Sequence, residues 1–428
     1  MFIGQYLGIF NMQNSDLEVI IVGGGLVGST LACALLQGGM RVGLVEAQSK
    51  PFPISTSSRG EKEAIDLRTF ALTRASERIF TNLGVWDRII AQRVSFFREM
   101  HVWDASGSGE IHFDSAMLHE PALGYIVEHS VIQAALNARL SEFETLSRYQ
   151  PAKVQRFNLI TNETAMQVEL DDGQCLTTRL LIGAEGAHSS IRTLAGISYK
   201  LLDHGQQALV ATVQTALPHQ ETAWQRFLPT GPLAFLPLSD SYTSSIVWSI
   251  DTPLAQQLMA LEKKAFQQEL EEAFAFKLGE VKESSQRVTF PLQSRYVLNY
   301  VQPRLALVGD AAHTILPLAG QGLNLGLLDA AALSEVILNA YVAQRDFGSY
   351  RELRRYERWR EGNNFMMLKT MEGFKYLFGK RSSLVIGLRN IGLSFTDAVS
   401  PLKKLIMPRA MGITGDLPRL ARYPYGDG

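Results

Sequence analysis

Cysteine is scarce in this chain: two residues, Cys33 and Cys175, in 428. Their separation fits neither a metal knot nor a C-x-x-C redox pair. No disulfide framework is expected, and the setting reads as a reducing compartment. A surplus of charge is also missing. The 41 Lys and Arg against 42 Asp and Glu leave a formal net charge of −1, which gives no support for nucleic-acid binding. No uncharged apolar run reaches the roughly 18–20 residues of a membrane-spanning helix. The first fifteen residues are apolar but have neither a basic start nor a clear cleavage site, so they do not read as a signal peptide. Residues 1–11, ahead of Met12, read as an upstream-start extension that contributes little. The eight histidines show no ligand spacing, so no metal site is expected.

What remains is ordinary globular composition, 46% hydrophobic and 19% charged, at a length that suits two or three domains. Residues 18–22 are a β-rich apolar run. They lead into Gly23-Gly24-Gly25-Leu26-Val27-Gly28, a G-x-G-x-x-G, then a helical pattern closed by Gly38-Gly39, then a second strand that ends at Glu46. Each part has a physical reason. Gly23 permits the tight turn, Gly25 lets backbone approach a pyrophosphate, and Gly28 lets helix and strand pack closely. The helix N-terminus faces the phosphates, and Glu46 can accept hydrogen bonds from ribose hydroxyls. An acidic Glu46 fits FAD or NAD better than NADP, and the motif alone does not choose between those two.

Downstream, Arg68 enters a helix-forming region from a loop, where it can reach a phosphate or remain an ordinary surface arginine. Residues 99–103 and 110–113 flank a Gly/Ser turn and read as a hairpin. A strand at 180–183 runs into a second glycine-bearing loop, 184–192, with Glu185-Gly186 at its start. From 196 to 285 the character changes to strands separated by Pro/Gly turns, followed by an amphipathic helix over 254–276. Phe227, Phe235, Trp248 and Phe290 can line a pocket there, although aromatics in strands usually belong to cores. Residues 305–329 then repeat the order strand, Gly-rich loop, helix, with the helical pattern from about Asn324. That order presents backbone N–H groups to an electron-rich ligand.

These three motifs, in this order, resemble class A flavoprotein aromatic hydroxylases. The stretch HTILPLAGQGLNLGLLD at 313–329 resembles the signature of the ubiquinone-biosynthesis hydroxylases. Segments 76–86, 100–104, 234–240, 246–249 and 354–358 are similar to the 2-polyprenylphenol 5-hydroxylase branch. The resemblance implies an α/β fold: a Rossmann-like FAD-binding domain (16–195 and 286–345), an inserted β-rich substrate domain (196–285) and a helical C-terminal region (346–428). It implies FAD as cofactor, NAD(P)H as reductant, and O₂ delivered to a polyprenylphenol ring carbon through a flavin C4a-hydroperoxide. Because the cofactor carries that chemistry, no Ser-His-Asp triad is expected.

Residue roles follow from the same resemblance. Gly23, Gly25, Gly28 and Glu46 would hold the ADP half of FAD. Arg68 and Glu128 would lie near the flavin and its phosphate linker, and Asp310 would bind the ribityl or pyrophosphate region. Pro317, Gly320, Gln321, Gly322, Leu323 and Asn324 would lie along the isoalloxazine, with the N–H groups of Leu323 and Asn324 toward its pyrimidine edge. His313 is the candidate for proton exchange with the phenol, against a role as a hydrogen-bonded structural histidine.

Two departures stand out. Glu185, expected to bind FAD or the reductant, replaces the family's usual Asp in the second loop and is one methylene longer. Leu316 stands where a second His is frequent. Basic residues from Lys375 to Arg409, opposed only by Asp397, suggest a peripheral contact with the inner membrane by an otherwise cytoplasmic protein. A ubiquinone-biosynthesis complex is a further expected partner. Hydroxylation at another ring position and a non-catalytic member of such a complex are the alternatives.

Overall fold

A computed structural model describes residues 17–49, 66–160, 164–316, 320–379 and 383–423. The N-terminal extension at 1–11 and Pro317 lie outside the described residues. The apolar run Leu17–Val22 forms the centre of an eight-stranded sheet, paired in parallel with Val42–Val45 on one side and Cys175–Gly183 on the other. Leu305–Leu307 adds in parallel beyond Cys175–Gly183. Strands buried on both faces carry apolar residues continuously, and Val19, Ile20 and Ile21 are fully buried. Helices Leu26–Gln37, His129–Leu140 and Gln321–Val342 pack on this sheet and on one another. Gln321–Val342 is long and apolar enough to cross a membrane, yet 67% of its apolar window is buried inside the fold, as a core helix should be.

A second sheet of nine strands stands beside the first. Five strands come from the 196–285 segment. The others are Glu99–Asp104, Glu110–Asp114, Val288–Val297 and His313–Thr314. The expected hairpin forms and closes one edge of this sheet, with Glu99–Asp104 parallel to Thr222–Leu228. Strand alternation separates the two faces. Leu209, Ala211, Phe235 and Trp248 pack under two helices, and Ala208, Val210, Ala234 and Val247 face a cavity. The single helix expected over 254–276 is two, Thr252–Ala260 and Lys263–Ala273. Arg287 explains the break: its guanidinium donates to the carbonyls of Leu258 (2.7 Å) and Leu261 (2.6 Å), satisfying the first helix's end.

The C-terminal region is helical over Tyr350–Gly379, Ser383–Ala398 and Ser400–Ala410. Two of the basic residues that suggest a membrane contact are committed inside the fold. Arg389 is buried in a two-pronged pair with Asp104 (2.6 and 2.9 Å), which Asn390 also contacts. Lys403 is buried against Asp397 at 2.9 Å. These two cations fasten the C-terminal helices, Arg389 to the hairpin turn directly, while Lys403 also donates to the His112 carbonyl.

Candidate active site

The strand ends at Val22 and Gly183 meet side by side, and the first two glycine motifs begin there. Gly23 adopts φ +106°, and a Cβ on it would lie 2.5 Å from the Ala184 carbonyl oxygen. A Cβ on Gly28 would lie 2.0 Å from Gly23 O. A Cβ on Gly25 would meet nothing within 4 Å. So Gly23 and Gly28 are required by packing, while Gly25 borders open space at a helix N-terminus without a side-chain cap. Glu46 sits half-buried at the second strand's end. Its Oε2 accepts from Gly24 N–H at 2.7 Å and its Oε1 from Gln48 N–H at 2.8 Å, which holds the carboxylate at the cavity's edge with lone pairs to spare.

Arg68 is exposed and lines the cavity. Glu128 is placed differently. Its carboxylate accepts from Asp66 N–H (2.7 Å) and pairs with Arg93 (2.6 Å), and it is not among the described residues lining the cavity. The next residue, His129, does line it. Burial, reinforced by the Arg68 cation, lowers the His129 pKa to about 4. Gln133, one helical turn on, donates to Gly24 O at 3.0 Å. Neither residue carries a motif that would single it out in the sequence. Glu185 lines the cavity, but its carboxylate caps its own loop. It accepts from Ser189 Oγ (2.6 Å), Ile191 N–H (3.1 Å) and Ser190 N–H (3.2 Å).

In the third motif, Asp310 is half-buried on a short helical turn, with no side-chain hydrogen bond among the described residues. Burial raises its carboxyl pKa, against the pull of His313 and Arg68. The following helix begins at Gln321, three residues before the expected Asn324, because Gly320 takes a left-handed conformation (φ 63°, ψ 20°) as its N-cap. The N–H groups without intrahelical partners are therefore those of Gln321, Gly322 and Leu323, and all three residues line the cavity. Asn324 N–H falls inside the helix. Its side chain is buried and staples the helix start to the distant strand Thr69–Thr73 and the helix after it, accepting from Thr73 N–H (3.0 Å) and Ser76 Oγ (2.7 Å) and donating to Ala71 O (2.8 Å). A Cβ on Gly322 would meet nothing within 4 Å. His313 is buried off this cavity, with Nε2 2.5 Å from Asp329.

One cavity of about 2240 Å³ joins these parts. Typical small-molecule sites span roughly 300–1,000 Å³, so this volume accommodates a dinucleotide and a second ligand together. Beyond the Gln321–Leu323 end, its wall is the sheet face bearing Ala208, Ala223 and Ala234. Of the four candidate aromatics only Phe290 lines it. Phe235 and Trp248 lie in the core behind the sheet, and Phe227 stacks on Phe378 at 3.8 Å. Two open glycines at uncapped helix starts, an acid at the second strand's end and an unpartnered Asp310 along one cavity fit a flavin dinucleotide.

The sequence profile of the FAD binding domain family matches residues 16–361. The chain belongs to that family. This FAD-binding monooxygenase is 36% identical over 402 residues to the 3-demethoxyubiquinol 3-hydroxylase of Escherichia coli (strain K12), covering 94% of the chain and 100% of the relative. It is 35% identical over 408 residues to the ubiquinone hydroxylase UbiL of Rhodospirillum rubrum, covering 95% and 92%. The fold matches that of PqsL, a probable FAD-dependent monooxygenase from Pseudomonas aeruginosa, with a TM-score of 0.73 at 21% identity over 89% of this chain and 100% of that one. The protein is a flavin-dependent aromatic hydroxylase with FAD as cofactor.

Two outcomes follow from this geometry. Gly25→Val and Gly322→Val place methyl groups in open space, so the apoproteins should melt within about 4 °C of wild type while turnover falls about 100-fold. Calorimetry of the apoproteins and substrate-dependent NAD(P)H oxidation by the FAD-loaded samples read the two quantities. Wild-type turnover in Gly322→Val would show that no ring lies against that helix start. The second outcome concerns His129. Above pH 6.5 its ring is neutral in both states. Between 6.5 and about 4 the unfolded chain takes up a proton that the folded chain refuses, so stability falls as pH falls through that window. Urea melts should show a shallower decline there for His129→Gln than for wild type.

Proposed function

We propose that the protein hydroxylates the aromatic ring of a polyprenylphenol in ubiquinone biosynthesis, with O₂ and NAD(P)H as co-substrates, and that oxygen enters at C5. The observation that carries this reading is end-to-end similarity to hydroxylases named for ubiquinone chemistry. A cavity continuous from the dinucleotide unit to an apolar sheet face accompanies it. Attack at another ring carbon is the second reading, favoured by the relative named as a 3-demethoxyubiquinol 3-hydroxylase.

Bound FAD supplies the redox chemistry, accepting reducing equivalents from NAD(P)H and activating O₂. The chain's residues bind, orient and exclude water. Glu46 would take hydrogen bonds from the ribose hydroxyls, and the bare backbone at Gly25 would admit the pyrophosphate to the first helix's N-terminus. Arg68 would supply a cation to that linker, and Asp310 would accept from ribityl hydroxyls. The N–H groups of Gln321, Gly322 and Leu323 would hold the flavin ring, where the helix dipole would favour negative charge on its reduced form. That effect is worth roughly 0.3–1 kcal/mol when exposed, and up to a few kcal/mol per donor in a dry, preorganised site. Alanines at 208, 223 and 234 leave room for a phenol ring, and their apolar surroundings keep water out.

A prenyl tail partitions into lipid, and the C-terminal helices offer a surface for it to approach from. Met366, Ile391 and Phe395 are 70, 67 and 60% exposed, with Lys404 and Arg409 also exposed. We infer a peripheral contact with anionic bilayers through this face. Flotation with anionic liposomes should retain the protein, and Ile391→Glu with Phe395→Glu should release it. Absence of wild-type retention would remove the contact. For the reaction itself, cells lacking the protein should accumulate a prenylated precursor short of one ring hydroxyl. Mass spectrometry and NMR of that precursor identify the carbon, and a precursor already oxygenated at C5 would replace C5 by the second reading.

A further inference from the structure

Asp329 takes no part in the assignments above. It lies in the third turn of the helix Gln321–Val342 and is 0% exposed. Its carboxylate accepts from His313 Nε2 (2.5 Å), Gly309 N–H (3.2 Å), Arg360 Nε (2.8 Å) and Asn364 Nδ2 (3.0 Å). Burial by itself would raise this carboxyl, but His313 and Arg360 outweigh burial and hold it below the usual carboxylate range. Apolar residues of similar volume commonly give equal or greater stability than a buried ion pair, so such a cluster is better explained by the geometry it fixes.

That geometry is specific. Gly309 N–H immediately precedes Asp310, and Arg360 itself lines the main cavity. Asp329 lies six to eight residues, or roughly 9–12 Å, along the helix from the Gln321–Leu323 N–H groups. One carboxylate therefore ties the Asp310 turn to the helix whose start faces the flavin ring. We propose that Asp329, held by the His313 Nε2–H donor, is a positioning residue that sets the Asp310 turn against the Gln321–Leu323 start and so fixes the FAD-binding geometry. His313 acts here as a hydrogen-bond donor. Its Nδ1 has no hydrogen-bond partner among the described residues, and it lies off the main cavity.

The proposal rests on Asp310 meeting the ribityl chain, and Asp310→Ala tests that placement separately because it leaves the Asp329 cluster intact. The decisive comparison is at 313. Gln keeps an N–H donor of similar reach, and Phe keeps the size without the donor. FAD affinity of the deflavinated protein is read by fluorescence quenching, with the bound-flavin spectrum and the pH profile of NAD(P)H oxidation alongside. His313→Phe and Asp329→Asn should weaken FAD about tenfold or more, as expected for losing a hydrogen bond to a charged group, and should shift the spectrum. His313→Gln should bind FAD within about twofold of wild type and keep its pH profile. Wild-type affinity in His313→Phe overturns the proposal, as does a His313→Gln protein impaired as deeply as His313→Phe. If His313→Phe does not fold, Asn364→Leu removes one donor from the same carboxylate. Weakened FAD binding in it supports the proposal, and unchanged binding refutes it.

Discussion

Where the cavity begins, chain segments approach so closely that one side of each contact must be glycine. Gly23 lies against Ala184, Gly28 against Gly23, and Gly326 against both Val27 and Gly309, such that a Cβ would sit 2.7 Å from Val27 and 3.3 Å from the Gly309 Cα. This contact brings the ends of Leu17–Val22, Cys175–Gly183 and Leu305–Leu307 to one place in register. It also aims two helix N-termini into the same space. The ligand crevice of an open parallel sheet lies at the carboxyl ends of its strands, and here close-packed glycines decide how near the two helices come. Add volume at that junction and the helix starts move apart together with the groups they present.

How each helix start is capped shows which are kept open. Thr73 and Ser189 accept from backbone N–H groups at their helix starts, so those ends are satisfied within the chain. Gly25 and Gly320 have no side chain to do so. Glu185 belongs with the satisfied ends. One methylene longer than Asp, it reaches back over Ser189–Ile191 and spends its oxygens on that loop. The departure in the second motif thus strengthens a turn that supports the site from behind, and the open donors remain at the first and third motifs.

The parts of this site legible in the sequence are those written in local pattern. The βαβ unit showed through apolar strands, spaced glycines and Glu46, and the third motif through the same order of elements. What the sequence hid depends on residues far apart in the chain. The helix start was read three residues late because Gly320 and Gly322 have poor helix propensity, and a left-handed N-cap leaves no periodic signal. The break near Leu261 comes from Arg287, which is not its neighbour in sequence. Arg389 stands among the basic residues that suggest a membrane contact, and no local pattern signals its pairing because its partner, Asp104, is 285 positions away. Glu128 and His129 are adjacent, yet one is committed to Arg93 and Asp66 while the other faces the cavity. That distinction depends on side-chain direction, which residue type alone does not give.

The second sheet shows why a reaction between cofactor and substrate can be held to a fixed separation. If residues 196–285 formed a self-contained module, the distance from flavin to substrate would depend on how two modules dock, and such interfaces move by default. The chain avoids this. After strand Val288–Val297 it crosses to the first sheet through Leu305–Leu307, turns at Gly309–Asp310, and returns so that His313 and Thr314 pair with Tyr296 and Arg295 at the second sheet's edge. The loop that carries the cavity-lining Asp310 is thereby hydrogen-bonded into both sheets within ten residues. Its position relative to Ala208 and Val247 is then set by strand register, and register is quantised: a slip of one residue would invert every side chain on the strand and exchange the cavity face for the core face. Asp329 works on the same loop from the opposite side, through Gly309 and His313. Backbone pairing fixes where the loop lies and the buried carboxylate holds it through Gly309 and His313, so the sheet face can tolerate small residues and open volume without losing its alignment to the Gln321–Leu323 helix start.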